Sequence, residues 1–255
     1  MIGCAGSFPA PDSPASCYLI EVDDEAGRTW RVLLDLGSGA LGPLQRHLDL
    51  REIDAVLLSH LHPDHCVDLC GLYVALRYNP AGRPPRKIPV HGPSDTADRL
   101  EAMYGVDEGG KLADIYDVYP WQDGEPVRIG PLTVVPRRVD HPGEAYGLRV
   151  EHEAGDRSAV LAYSGDTDAC PALVTLAQDA DVLLCEAAFT QGRDESRHIH
   201  LTGLRAGQVA AEAGVRRLLL THLPVWTDRT TALADARSAF AGVVLVVSAG
   251  ANYSV

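Results

Sequence analysis

Short apolar runs alternate along the chain with stretches whose apolar residues recur at spacings of three and four. The runs at residues 30–34, 53–58, 132–135, 158–163, 181–185, 216–220 and 243–247 are dominated by Val, Leu, Ile and Ala and have the length of buried strands. Helical spacing predicts helices over residues 67–78, 93–104, 171–177, 202–213 and 231–240. The alternation argues for an α/β fold, a sheet-rich core clothed in helices. The Pro-rich stretch 79–85 reads as a loop, but apolar patterning resumes on both sides and no linker divides the chain, so a single domain over residues 1–255 is expected.

Several of these strands end in polar groups. The stretch from Ile53 to Leu61 and that from Arg216 to Leu223 share one plan, a buried strand followed by a hydroxyl residue (Ser59, Thr221), then His, then Leu. Two further strands end in a carboxylate, Leu33-Leu34-Asp35 ahead of Gly37-Ser38-Gly39 and Ser164-Gly165-Asp166 ahead of Thr167. Carboxyl ends of strands are where α/β architectures place their sites.

The densest chemistry is His60-Leu61-His62-Pro63-Asp64-His65. In an extended loop residues i and i+2 point the same way, so His60 and His62 can grip one ion while Asp64 and His65, displaced along the loop, reach a second. Further ligands must come from distant chain, and His141, Asp166 and His222 are the candidates. A carboxylate can bridge two metals where imidazole cannot, which makes Asp166 the natural shared ligand. His47, His91, His152 and His198 lack a strand-end setting and read as surface or hydrogen-bonded histidines.

Composition narrows the partners. The 255 residues carry 22 Lys+Arg against 35 Asp+Glu, a net charge of −13. That balance argues against a broad basic face for nucleic acid but leaves room for a local positive site made by metal ions. The apolar runs are far short of the roughly 20 residues that span a bilayer, and no basic-then-apolar signal opens the chain. Cys4, Cys17, Cys66, Cys70, Cys170 and Cys185 do not form a disulfide framework. Reduced thiols and a cytoplasmic location are expected.

The HxHxDH cluster, the later lone His141, the Ser-Gly-Asp-Thr around Asp166 and the Thr221-His222 pair together resemble the metallo-β-lactamase superfamily. The resemblance implies a four-layer αβ/βα sandwich with two divalent ions, zinc first and manganese as the alternative. One would be held by His60, His62 and His141, the other by Asp64, His65 and His222, with Asp166 bridging and Asp35 ordering the ligand loop. Asp at 166 is similar to the phosphoesterase-like and lactonase-like branches. The family's first strand normally precedes Gly3-Cys4, where only Met1 and Ile2 stand here.

Cys185-Glu186-Ala187-Ala188-Phe189 and His200-Leu201-Thr202 are similar to ribonuclease Z, the tRNA 3′-processing endonucleases, and their phosphodiesterase relatives. That resemblance implies that Glu186 orients His200 and that His200 contacts the scissile phosphate and donates a proton, with Asp64 steering the attacking water. The blocks Asp12-Ser13-Pro14-Ala15-Ser16, Leu44-Gln45-Arg46-His47, Gly92-Pro93-Ser94-Asp95-Thr96 and Ile115-Tyr116-Asp117-Val118 resemble the actinobacterial cyclic-nucleotide phosphodiesterases. The expected activity is hydrolysis of a small phosphodiester such as cyclic AMP. Its alternatives are tRNA 3′ processing and lactone or thioester hydrolysis on the same metal pair. The 25 positions from His141 to Asp166 leave no room for a tRNA-binding arm, so no stable nucleic-acid partner and no membrane are expected, and the resemblance allows a homodimer.

Overall fold

A computed structural model describes residues 1–105, 112–155 and 157–255. The strands are β1 (Tyr18–Asp23), β2 (Thr29–Leu34), β3 (Ala55–Leu57), β4 (Ile88–Gly92), β5 (Tyr116–Pro120), β6 (Val127–Ile129), β7 (Leu132–Arg138), β8 (Tyr146–Ala154), β9 (Arg157–Tyr163), β10 (Val182–Glu186), β11 (Arg217–Thr221) and β12 (Val243–Val246). They form two mixed sheets. One has the order β1-β2-β3-β4-β5, an antiparallel hairpin followed by parallel neighbours. The other runs β12-β11-β10-β9-β8-β7-β6, parallel from β12 to β9 and antiparallel beyond.

Side-chain alternation explains the stacking. In the inner strands both faces are apolar, and successive residues enter different cores. Leu33, Val56 and Leu58 pack outward with α1 (Leu41–Leu44), α3 (Asp68–Arg77) and α4 (Thr96–Tyr104), while Val32, Leu34, Ala55 and Leu57 face the other sheet. On that sheet Leu184 and Leu219 face inward, and Leu183, Leu218 and Leu220 pack against α5 (Pro171–Ala177), α6 (Gly203–Glu212) and α7 (Arg229–Ala239). Three apolar layers thus separate four layers of structure, the αβ/βα sandwich of the metallo-β-lactamase fold. Thr202 and Asp228 cap α6 and α7 by accepting from the backbone N–H of Arg205 and Thr231.

Every strand expected from the apolar runs is present, the one at residues 53–58 shortened to β3. Five strands carry no such run. β1 and β8 interleave charged residues, β4 and β5 contain Pro89 and Pro120, and β6 is a three-residue edge strand. Two corrections concern the ligand hexad and the second expected helix. Pro63–Cys66 form a short helix, α2, so the hexad is extended only through His62. The helix expected from residue 93 starts at Thr96, because a turn closed by Thr96 N–H on Pro93 C=O precedes it. At the chain start Ile2 and Gly3 donate to Cys17 C=O at 3.0 Å, and Ala5 bridges Leu223. All six cysteines are free, and no helix among the described residues is long and apolar enough to cross a membrane.

Candidate metal centre

Strand ends deliver the polar groups to one edge of the sandwich. β2 is followed by Asp35, β3 leads through Leu58 and Ser59 to His60, β9 leads to Asp166, β10 ends in Glu186 and β11 is followed by His222. His141 lies between β7 and β8, and His200 precedes α6. Asp35 and His222 have left-handed backbones, with φ of 57° and 55°, a conformation that non-glycine residues hold only where surrounding contacts enforce it. Two glycines permit close backbone approaches here. A Cβ on Gly37 would lie 1.8 Å from Asp64 C=O, and one on Gly6 would lie 2.4 Å from His222 C=O.

Donor atoms converge in two adjoining groups. His62 Nδ1 lies 3.0 Å from His60 Nε2 and 3.2 Å from His141 Nε2. His222 Nε2 lies 3.1 Å from Asp64 Oδ2 and 3.3 Å from His65 Nε2. Asp166 sits between them, with Oδ2 at 3.7 Å from His60 Nε2 and 3.4 Å from His222 Nε2, and Oδ1 at 3.3 Å from His65 Nε2. These spacings are close to the ~3.3 Å edge of a tetrahedron built on metal–nitrogen bonds of ~2.0–2.1 Å.

The outer nitrogens fix the tautomers. His141 Nδ1–H donates to Ile199 C=O at 2.7 Å and His65 Nδ1–H to Asp35 Oδ2 at 2.7 Å, acceptors that leave each Nε2 bare when the ring is neutral. His60 Nδ1 lies 3.1 Å from Ser59 Oγ, whose proton goes to Asp35 Oδ2 at 2.8 Å, so His60 Nε2 is bare as well. His222 Nε2 accepts from Ser7 N–H at 3.2 Å. Asp35 is buried and further accepts from Ser59 N–H and the Tyr163 hydroxyl, at 2.7 and 2.6 Å.

Bare imidazole nitrogens and two carboxylates therefore face one another. Asp166 Oδ1 is buried without a well-directed hydrogen bond. Lone pairs in this arrangement need cations, and the donor set, imidazole and carboxylate without thiolate, suits divalent metals. Packed side by side, these groups set one another's protonation. Burial pulls His60, His62 and His141 below the ordinary histidine range. It pulls His65 the same way, but Asp166 and Asp35 outweigh it and hold that ring above the range. Burial would raise Asp166 and Asp64, yet the neighbouring histidines hold both carboxyls low.

His200 stands beside this cluster on its own support. Its Nδ1 donates to Glu186 Oε1 at 2.7 Å and lies 4.0 Å from Asp166 Oδ2. Burial disfavours its charge, but the fully buried Glu186 carboxylate prevails and raises its pKa to about 9. Glu186 also accepts from the N–H groups of Thr167 and Ala188, at 2.9 and 3.0 Å. The loop before His200 is fastened by buried Asp168, which accepts from Arg197 Nε at 2.5 Å and His198 N–H at 2.9 Å and pairs with Arg205.

A family profile described as "Beta-lactamase superfamily domain" matches residues 30–223, about three quarters of the chain. The chain belongs to the beta-lactamase superfamily. An uncharacterized protein of Mycobacterium tuberculosis is 48% identical over 258 residues, spanning 100% of this chain and 91% of its own. The superfamily likeness extends to the probable metallo-hydrolase YhfI of Bacillus subtilis, 29% identical over 98% of this chain and 96% of that protein. The crystal structure of that YhfI superposes with a TM-score of 0.84, covering 98% of this chain and 95% of it at 28% identity. A ribonuclease Z of Salinispora arenicola is 28% identical over 96% of this chain and 92% of its own.

Within this superfamily frame, all seven ligand candidates read from the sequence meet at one edge, and His200 and Glu186 adjoin them. His198 is hydrogen-bonded to Asp140 at 2.8 Å on the surface, as expected of a non-ligand. His91, read as a surface or hydrogen-bonded histidine, is not at the surface but buried and stacked 5.0 Å from Trp121 and 5.1 Å from Tyr119. Sequence reasoning missed Ser7, whose contribution is a backbone N–H, and the Tyr163 hydroxyl on Asp35. A main-chain donor leaves no mark in residue type.

Proposed function

We propose that the protein hydrolyses a small phosphodiester, 3′,5′-cyclic AMP first, on two divalent ions, zinc or manganese. His60, His62 and His141 would hold one ion and Asp64, His65 and His222 the other, with Asp166 shared. When bound, the pair would supply an activated water and neutralise charge on the phosphate oxygens. The observation that carries the reading is the His200–Glu186 pair at the edge of the ligand cluster. With Nδ1–H committed to Glu186, the opposite nitrogen, Nε2, is the one free to give a proton to the departing ribose oxygen, which is a poor leaving group without one. Asp64 would accept a hydrogen bond from the attacking water and steer it.

Small substrates are favoured over RNA by the stretch between His141 and Asp166. β8 and β9 pair from Leu148–Tyr163 to Ala154–Arg157, so that interval is a hairpin. Together with the net charge of −13, this gives a long RNA little to hold. The reading takes the chain as one domain acting in the cytoplasm, alone or as a homodimer, on a small-molecule partner.

The test is kcat for cyclic AMP and for bis(p-nitrophenyl) phosphate in wild type and His200→Ala, with metal content measured on each preparation. His200→Ala should lower kcat on cyclic AMP by roughly 10² to 10⁴ with both ions retained, and by less on the substrate whose leaving group departs as a stable anion. Glu186→Gln should give a milder form of the same pattern. Equal losses on both substrates would assign His200 to phosphate binding. Efficient precursor-tRNA cleavage would reverse the substrate ranking, and activity on lactones alone would remove phosphodiesters.

A further inference from the structure

Two loops meet at the rim of the ligand cluster, and each brings an aromatic ring into solvent. The first follows Ala5, which bridges Leu223; its Ser7 N–H reaches His222 Nε2 at 3.2 Å, and Phe8 is the next residue. The second follows His222 and carries Trp226. The rings of Phe8 and Trp226 lie 5.1 Å apart at 47°, yet 38% of Phe8 and 58% of Trp226 remain exposed. Trp226 is not on a loose tip. Thr227 donates to Pro224 C=O at 2.8 Å through its N–H and to Ala188 C=O at 2.9 Å through its hydroxyl, and Arg193 reaches Trp226 C=O at 3.4 Å. Ala188 in turn donates to Glu186, and the adjacent Phe189 ring packs 5.0 Å from His200. The aromatic pair is therefore tied on one side to His222 and on the other to the His200 support.

We propose that Phe8 and Trp226 form a stacking wall for the base of a nucleotide whose phosphate lies at the ligand cluster. The inference rests on the phosphodiester reading and adds to it the class of group beyond the phosphate, an aromatic base. Ser7 N–H is aimed at the cluster, and the Phe8 Cα follows that of Ser7 by about 3.8 Å, so consecutive residues of one loop serve the phosphate end and the base end. A flat π-system is the chemistry that exposed, backbone-anchored rings recognise, and its stacking does not depend on which base is present.

Adenosine 5′-monophosphate, ribose 5-phosphate and inorganic phosphate, titrated calorimetrically into the metal-loaded protein, separate the base from the phosphate. Wild type should bind the nucleotide at least about fivefold tighter than ribose 5-phosphate, the low end for one base on an aromatic ring, with quenching of tryptophan emission. Trp226→Ala should bring the two affinities together, Phe8→Ala should narrow the gap, and Trp226→Phe should restore most of it. Equal binding of both sugars' phosphates by wild type would overturn the stacking wall while leaving the phosphodiester reading intact. So would a preference unchanged in Trp226→Ala, or a dimer that Trp226→Ala splits with the preference retained, which would make the patch an interface between copies. Failure of all three compounds to bind would remove the phosphodiester reading and the wall with it.

Discussion

His60 and His222 leave their strands by the same written plan, hydroxyl, His, Leu, and both rings are buried, but they are anchored in opposite ways. Ser59 Oγ holds the outer nitrogen of His60 and passes its own proton to Asp35. Thr221 Oγ1 turns away to Tyr18, 2.8 Å distant between the sheets, and the outer nitrogen of His222 has no partner. His222 is aimed instead by its left-handed backbone, and Ser7 N–H meets the inner nitrogen, on the lone pair that a bound ion would take. One ring is oriented by a side-chain relay and the other by the main chain. Local sequence determines which residue arrives at a strand end; packing against distant elements determines what holds it there.

The comparison breaks most severely if the two histidines do not serve different ions. His60→Ala and His222→Ala should each deplete mainly one ion, whereas Asp166→Ala should release both. Activity should fall in all three by more than the 10- to 100-fold typical of residues that only orient a ligand. Elemental analysis decides it, and a single ion lost from Asp166→Ala, as from either histidine variant, would count against the bridge.

The two hydroxyls sharpen the contrast at a smaller scale. Ser59→Ala should weaken metal affinity by roughly 10- to 100-fold through loss of the relay. Thr221→Ala should cost about 1 kcal/mol of stability with metal affinity held. Competition with a chromophoric chelator, set beside urea unfolding, measures both; matching affinity losses would mean that the anchors are alike after all.

The smallest effect concerns only the His60 side. His91 stacks on Trp121, whose Nε1–H donates to Leu58 C=O at 2.9 Å, next to Ser59. Burial lowers the His91 pKa to about 4, so the unfolded chain, titrating near 6.5, binds more protons between those values. Stability is present above about pH 6.5 and is lost as pH falls toward 4. From pH 6.5 to 5 the loss should be about 1 to 2 kcal/mol. Unfolding of metal-free wild type and His91→Phe at several pH values isolates this contribution, and parallel curves would assign the pH dependence elsewhere.

Much of the centre was legible because metal ligation demands particular residue types at tight spacing, and the strand-end settings of Asp35, His60, Asp166 and His222 are written in apolar runs. α3, α5, α6 and α7 were legible from apolar spacing. β4 was not, since Pro89 and His91 disguise an inner strand whose pairing with β3 and β5 outweighs local propensity. β8 was hidden by Arg149, Glu151 and Glu153, which alternate with Leu148, Val150 and His152 along a strand flanked by β7 and β9. The anchoring of His222 was beyond reach for another reason. Backbone handedness and a main-chain donor from more than two hundred residues away leave no local trace.

Gly37 and Gly6 carry this difference into mutational tolerance. Neither carries a side chain, yet Asp64 C=O occupies the space where one at 37 would begin, and His222 C=O does the same at 6. Any larger residue must displace the main chain that aims a ligand candidate, a displacement that no nearby side chain can absorb by changing rotamer. Among the positions least free to vary are therefore two defined by vacancy, and an inventory of chemically active groups would overlook both.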